Sequence, residues 1–539
     1  MNKDKKSSFR VTHESHSTNE FVRTGKRGLF HILFGRTTVI ILLLVLQFAG
    51  LFALFAIFER YASIAYSGLA VLSLIMAIYV VNSADNPAIK LSWVVLIMFV
   101  PVFGTLLYVF VHTEIGHRLM YRRLQKVLEQ TQPYTNPDPA LEEEIAARSK
   151  ALRGTAHYCG ERAGYPICRS RGAAYFPDGE SFWKDLLTRL EQAKDFIFIE
   201  YFIIDEGEMW GRILEVLTRK AAEGVEVRVM YDGTCAVSLL PYGYPKKLAA
   251  LGIHCRMFSP LRPFVSTHYN NRDHRKIVVV DGETAYTGGV NLADEYINHK
   301  VRFGHWKDCA LRVEGEAVRS FTLMFLQIWN IAGGIVTDKE NYERYLHAGT
   351  ASLPPYDGGY IIPYGDSPLD HEKVGETMYM EILNTSTDYV YIMTPYLILD
   401  NEMCTALQNA AKRGVDVRII LPGIPDHKIA FALAKTHYKE LIPAGVRIYE
   451  YTPGFVHSKL FVSDDLKAVA GTVNLDYRSL YLHFECAAYL YDMPVITDIK
   501  ADFEQTFDRC REIKAGDLRR KTALSRLYAG FLKLLAPLM

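Results

Sequence analysis

The chain has 539 residues, with 61 Lys and Arg against 60 Asp and Glu and a formal net charge of +1. That length allows more than one domain; the net charge says nothing about a polyanionic partner, but the lack of a basic stripe counts against a nuclease, and no nucleic-acid partner is expected. None of the eight cysteines (159, 168, 235, 255, 309, 404, 486 and 510) forms a CxxC pair, which excludes a zinc or redox motif of that kind and suits a reducing compartment.

In chain order, residues 1–36 form a basic polar tail carrying Lys3, Lys5, Lys6, Arg10, Arg23, Lys26, Arg27 and Arg36. Three apolar stretches follow, at about 37–58, 61–81 and 91–111. Each reaches the roughly 20 residues needed to cross a bilayer, so transmembrane helices are expected. The long polar tail and the lack of a small-residue cleavage site argue against a cleaved signal peptide. The tail favours a cytoplasmic N-terminus, and three full spans would then place the rest outside. Arg118, Arg122, Arg123 and Lys126 after the third stretch favour the inside instead, and Pro101 and Gly104 would let that stretch kink or re-enter. The reading adopted is a multi-pass cell-membrane protein with a cytoplasmic catalytic region.

Residues 112–170 read as a connector with a charged helical stretch at 141–148. A wide internal repeat then begins. Asp195-Phe196-Ile197-Phe198-Ile199 resembles Asp388-Tyr389-Val390-Tyr391-Ile392, and Gly224-Val225-Glu226-Val227-Arg228-Val229 matches Gly414-Val415-Asp416-Val417-Arg418-Ile419. Apolar β-branched runs alternating with amphipathic helices predict α/β sandwich units with a mainly parallel central sheet. Two such units, 171–345 and 355–515, are expected to pack face to face as one pseudo-two-fold catalytic domain. Residues 347–359, rich in Pro and Gly, form the junction. Residues 516–539 form a basic amphipathic tail that suits either an anionic membrane surface or packing on the core.

Within the repeat one pattern occurs twice without slippage: H-x-K-x4-D-x6-G-x2-N. The first copy is His274, Lys276, Asp281, Gly288 and Asn291; the second is His457, Lys459, Asp464, Gly471 and Asn474. These histidines, lysines and aspartates form the expected catalytic set. Residues two apart on a strand share a face, so each His and Lys point the same way, whereas the Asp, at an odd offset and at the strand's end, is expected to brace the site. Gly288 and Gly471 permit close backbone approach, and Asn291 and Asn474 offer amide donors.

Two histidines and two lysines facing one another suit a phosphodiester. One neutral imidazole attacks phosphorus, the other, protonated, donates to the leaving alkoxide, and ammonium and amide groups hold the non-bridging oxygens. The two titrations should be coupled. A nucleophilic histidine needs a partner on its far nitrogen, and Asp308 and Glu485, at similar distances after the two motifs, are the candidates. No carboxylate cluster or Cys/His quartet suggests a metal. His254, His268, His427 and His483 read as ordinary histidines, and Arg262, Arg272 and Arg478 as either phosphate-binding or structural.

The doubled pattern resembles the phospholipase D superfamily, and more narrowly the bacterial-type cardiolipin synthases. The segments carrying the likeness are Asn271-Arg272-Asp273-His274-Arg275-Lys276, Thr287-Gly288-Gly289-Val290-Asn291, Trp306-Lys307-Asp308, Gly454-Phe455-Val456-His457-Ser458-Lys459, Asn474-Leu475-Asp476-Tyr477-Arg478-Ser479 and, near the N-terminus, Pro101-Val102-Phe103-Gly104. The resemblance implies two phospholipase D-like units, no cofactor, and phospholipid substrates in a bilayer. It implies transfer of a phosphatidyl group between two phosphatidylglycerol molecules, giving cardiolipin and glycerol, with His274 as nucleophile and His457 as acid and base. Water, phosphatidylethanolamine or another alcohol remain open as alternative acceptors. Three apolar stretches, where two are usual, set this chain apart.

Overall fold

The computed structural model describes residues 45, 49–50, 52–53, 62–112, 115–241, 243–260, 271–333, 340–346, 355–370, 372–518, 529–534 and 536–538. The basic tail, nearly all of the first apolar stretch, Arg262, His268, residues 347–354 of the junction and residues 519–528 of the C-terminal tail lie outside the described residues. The chain divides into two compact units: residues 1–84, 93–111 and 262–266, and residues 85–92, 112–261 and 267–539.

In the first unit, the helix Ala62–Val81 carries no charge and exposes Ile64, Val71, Leu74, Ile75 and Ile78. The third apolar stretch, expected as one span, is instead two helices, Pro87–Phe99 and Pro101–His112. Pro101 has no N–H with which to continue the ladder, so the helix ends before it. Gly104 then lets the two helices touch: a Cβ there would lie 2.8 Å from the Ile97 Cα. Among the described residues no helix is long and apolar enough to cross a membrane.

Among the described residues the second unit holds two large sheets, with one strand order used twice, and a two-stranded one. In the first sheet the order is Ala173–Phe176, Ala310–Glu314, Thr284–Gly288, Lys276–Val280, Phe196–Tyr201, Glu226–Asp232, His254–Phe258. The second repeats it as Tyr360–Asp366, His483–Tyr491, Lys467–Gly471, Leu460–Ser463, Tyr389–Met393, Asp416–Pro422, Arg447–Tyr451, with Cys168–Arg169 and Cys510–Ile513 added at its edges. The expected mainly parallel sheet is corrected here: the last three strands of each order run parallel, and the rest are antiparallel. One antiparallel pair in each sheet has a local cause: after each motif strand the chain turns back through a tight hairpin instead of a crossover helix.

Those hairpins explain the motif aspartates. Asp281 (φ +53°) and Asp464 (φ +56°) adopt left-handed backbone at the turn. Asp281 accepts from the backbone N–H groups of Lys194, Asp195 and Phe196 at 2.8, 2.8 and 2.9 Å. Asp464 does the same for Thr387, Asp388 and Tyr389 at 2.9, 3.0 and 3.0 Å. Each carboxylate thus ties the motif strand's far end to the start of its neighbour. Asp281→Ala is expected to lower folding stability by about 1–3 kcal/mol through three lost acceptor contacts, with turnover per folded molecule kept. Denaturant unfolding beside activity normalised to folded protein checks this, and a loss of turnover without a loss of stability would refute it.

Both faces of each motif strand are buried. Ile277 and Val279, with Leu460 and Val462, enter a core shared by the two sheets. Val278 and Val280 face the outer core of the first sheet, and Phe461 that of the second. The helix Val318–Ala332 fills the shared core, with Phe325 stacked on Phe198 at 4.6 Å. The segment read as a connector is not a passive one. Met120, Leu124 and Val127 join the shared core, and Leu141, Ile145, Leu152 and Cys159 join the outer core of the second sheet. Gly288 and Gly471 serve close approach: a Cβ would lie 2.4 Å from the Cys309 oxygen and 2.3 Å from the Ala487 Cβ. The described end of the C-terminal tail packs inward, Leu532 and Ala536 against Ile398, Leu433 and Tyr477.

Candidate active site

Each motif histidine is held at its backbone N–H and at Nδ1 by the other half. The short strand Arg272–Asp273 leaves the first half to pair, in parallel, with His483 and Phe484 of the second. The strand Gly454–Val456 of the second half pairs in parallel with His305–Lys307 of the first. Each pairing ends on a histidine: the His274 N–H donates to the Phe484 carbonyl at 2.9 Å, and the His457 N–H to the Lys307 carbonyl at 2.7 Å.

The side chains cross over in the same way. His274 Nδ1 lies 2.9 Å from both oxygens of Glu485, and His457 Nδ1 lies 2.7 Å from Asp308 Oδ2. With an ionised carboxylate as acceptor, each Nδ1 carries the hydrogen and Nε2 is left as the lone-pair nitrogen. The carboxylates are themselves fixed. The Thr472 hydroxyl donates to Glu485 Oε2. The Cys309 N–H donates to Asp308 Oδ1 at 2.9 Å, and the Trp306 indole N–H reaches Oδ2 at 3.4 Å. Lys276 Nζ donates to the His274 carbonyl at 2.7 Å, and Lys459 Nζ to the His457 carbonyl. Phe202 lies against His274, and Tyr296, Trp306 and Phe455 surround His457.

All six groups are buried, and burial dominates the ionisation of the histidines and lysines. It lowers His274 to about 3 and His457 to about 4 against the pull of their carboxylates, and it lowers Lys276 to about 8 and Lys459 to about 7. Burial opposes ionisation of Glu485 and Asp308, but the attached histidines outweigh it and hold both below the usual carboxylate range. Below about pH 7, in the absence of substrate, the two carboxylates, two ammoniums and two neutral imidazoles sum to a formal charge of zero.

The structure brings His274, Lys276, His457, Lys459, Asp308 and Glu485 together. It does not bring Asp281 and Asp464, which stay at the hairpins and leave the catalytic set. Asn291, expected as an amide donor to phosphate, makes two contacts within the protein: its Oδ1 accepts from the Ile203 N–H at 3.1 Å, and one Nδ2 hydrogen goes to the Tyr296 hydroxyl at 2.8 Å, which leaves over its second N–H. Asn474 is buried, and its Oδ1 has no partner among the described residues. Arg272 is structural, donating to the Ser259 carbonyl at 3.0 Å and pairing with Asp232.

His483, read as ordinary, belongs to the site. Its ring lies 5.6 Å from that of His274 and its Nδ1 3.8 Å from Glu485 Oε1, and it is buried without a hydrogen-bond partner among the described residues. Strand parity with Glu485, two residues on, carried the signal. One donor atom each from His274, His483 and Glu485 falls within 4.8 Å, a grouping that could hold a cation. Such an ion would compete with the Nδ1–carboxylate bond.

A family profile described as the phospholipase D-like domain of cardiolipin synthase matches residues 186–327 and 379–507. A phospholipase D-nuclease N-terminal profile matches residues 71–111. A Streptococcus mutans protein described only as uncharacterized is 49% identical over 86% of this chain and 99% of its own. A cardiolipin synthase of Alkalihalophilus pseudofirmus is 32% identical over 84% of this chain and 90% of its own. The crystal structure of phosphatidylserine synthase from Haemophilus influenzae, at 14% identity, shares the fold with a TM-score of 0.56 over 72% of this chain and 100% of that one. The chain belongs to the phospholipase D-like cardiolipin synthases and is a phosphatidyltransferase.

Proposed function

We propose that the protein joins two phosphatidylglycerol molecules into cardiolipin, releasing glycerol, through a phosphohistidine. The crosswise pair of carboxylate-held histidines carries this reading. His274 Nε2 forms a bond to phosphorus while the bond to the glycerol oxygen breaks, and His457 gives that oxygen its proton. Glycerol leaves. His457 then removes a proton from a free hydroxyl of a second phosphatidylglycerol, whose oxygen displaces His274 and yields cardiolipin. The choice of His274 for attack rests on the family resemblance.

The charge balance supports this order. A phosphodiester brings one negative charge into a buried site whose sum is zero. Taking up one proton on His457 restores neutrality, so substrate binding itself makes the two histidines differ. The lysine ammoniums hold the non-bridging oxygens after leaving the histidine carbonyls they contact in the free protein. Asn474 is a further candidate for the phosphate end. The exposed apolar residues on Ala62–Val81 support attachment to the cell membrane, with the catalytic region on the cytoplasmic side.

Incubation of phosphatidylglycerol with the purified protein tests the reading. Equimolar cardiolipin and glycerol are expected, unchanged by chelator; phosphatidic acid as the dominant product, or strict metal dependence, would overturn it. The lysines add a pH signature. Both are lowered, so the charge that grips phosphate is present below, and lost above, about pH 7 for Lys459 and 8 for Lys276. The kcat/KM of the free enzyme should therefore fall as pH rises through 7–8. A profile flat to about pH 9 would remove the lysines from phosphate binding.

A further inference from the structure

The sequence holds no CxxC pair, yet the fold assembles a mixed donor set from residues far apart in the chain. Cys404 lies on the helix Asn401–Lys412, and His437 and Glu440 lie on the helix Lys428–Leu441. Three residues apart on one helix, His437 and Glu440 share a face. We propose that Cys404, His437 and Glu440 bind a zinc-class divalent ion, at a site that shares no residue with the phosphodiester centre.

Geometry carries the inference. Glu440 Oε2 lies 3.7 Å from Cys404 Sγ and 3.8 Å from His437 Nδ1, and one donor atom from each of the three falls within 4.8 Å of the others. Bonds of about 2.0–2.3 Å to a tetrahedral ion give ligand–ligand edges of roughly 3.3–3.8 Å, so two edges are already near their final length. Glu440 divides its oxygens: Oε1 takes the Lys533 ammonium, and Oε2 faces the cysteine and the histidine.

His437 is the second, independent observation. It is 7% exposed, and its Nδ1 has no hydrogen-bond partner among the described residues. A buried ring nitrogen left unpaired is costly, and a bound ion supplies what the neighbouring helices do not. Gln408 Nε2 approaches Cys404 Sγ at 3.4 Å, an N–H contact of the kind that supports a metal-bound thiolate.

The donor types select the ion. One sulfur, one imidazole nitrogen and one carboxylate oxygen suit zinc, whereas magnesium and calcium take oxygen ligands. Binding would release the Cys404 thiol proton to solvent. The resulting thiolate and the Glu440 carboxylate would offset the ion's two positive charges, leaving the Lys533 ammonium as the site's one net charge, and solvent, which reaches the exposed Glu440 side chain, would supply the fourth ligand as water. The ion would clamp the two helices together beside Lys533 of the C-terminal segment.

The test uses the full-length protein, stripped with a chelator and titrated with zinc against a chromophoric competitor. Zinc with a Kd of micromolar order or tighter is expected, weakened by about tenfold or more in Cys404→Ser and in His437→Gln, with millimolar-range magnesium failing to compete. Cobalt in place of zinc should give a thiolate charge-transfer band that Cys404→Ser abolishes. His483→Asn, which alters the trio at the phosphodiester site, should keep that band. Failure of the wild type to bind zinc below about 100 µM, undiminished zinc affinity in both variants, or a cobalt complex without the thiolate band would each overturn the proposal. Should either variant misfold, the band in the wild-type protein decides.

Discussion

His274→Ala and His457→Ala are each expected to reduce cardiolipin formation by about 10⁴-fold or more, and the double variant by no more than the worse single one, because groups that act as a unit do not add. The two singles should separate on a substrate whose leaving group needs no proton. With a phosphatidyl ester of p-nitrophenol, His457→Ala should release the phenol in a burst and trap the phosphatidyl group on the protein, since attack by His274 survives and only the later deprotonation is lost. His274→Ala should release none. Rapid-mixing absorbance and mass spectrometry of the trapped adduct read this directly. A burst in His274→Ala and none in His457→Ala would exchange the two roles, and a burst in neither would argue against a covalent intermediate.

The repeat, the motif strands and the hairpin role of the aspartates were legible in the sequence because each follows from local rules. Strand parity separates His274 and Lys276 from Asp281, and the matching Val227-Arg228-Val229 and Val417-Arg418-Ile419 runs mark equivalent central strands. Sheet direction was not legible. Buried on both faces, these strands read as apolar runs whether their neighbours are parallel or antiparallel. The exchange between halves was invisible for a different reason. Asp308 and Glu485 stand at similar distances after the two motifs, and spacing alone cannot say that each serves the other half's histidine. The contacts of Asn291 with Ile203 and Tyr296 were not legible, because they are set by tertiary packing. The third apolar stretch broke at Pro101, a residue noted in the sequence as one that would let the stretch kink or re-enter.

The crossed pairing makes a prediction that a simple two-half enzyme would not share. Glu485→Gln removes the charge that fixes the His274 tautomer and leaves the amide free to present its N–H to Nδ1, turning the hydrogen to the reacting nitrogen. Asp308→Asn does the same to His457. A loss of about 10²–10⁴-fold is expected from each. The diagnostic lies in which histidine each variant copies. Glu485→Gln, although the residue lies in the second half, should behave like the first-half variant His274→Ala and give no phenol burst. Asp308→Asn, in the first half, should behave like His457→Ala and keep the burst while losing turnover. Pairing within each half would predict the reverse. The same logic sets the stability cost. Each carboxylate is fully buried and also held by Thr472 or the Cys309 N–H. The amides keep volume and one acceptor oxygen, so both variants should unfold within about 1–3 kcal/mol of the parent. A burst that followed the half of the chain rather than the hydrogen bond would mean that the contacts of His274 with Glu485 and His457 with Asp308 do not govern the reaction.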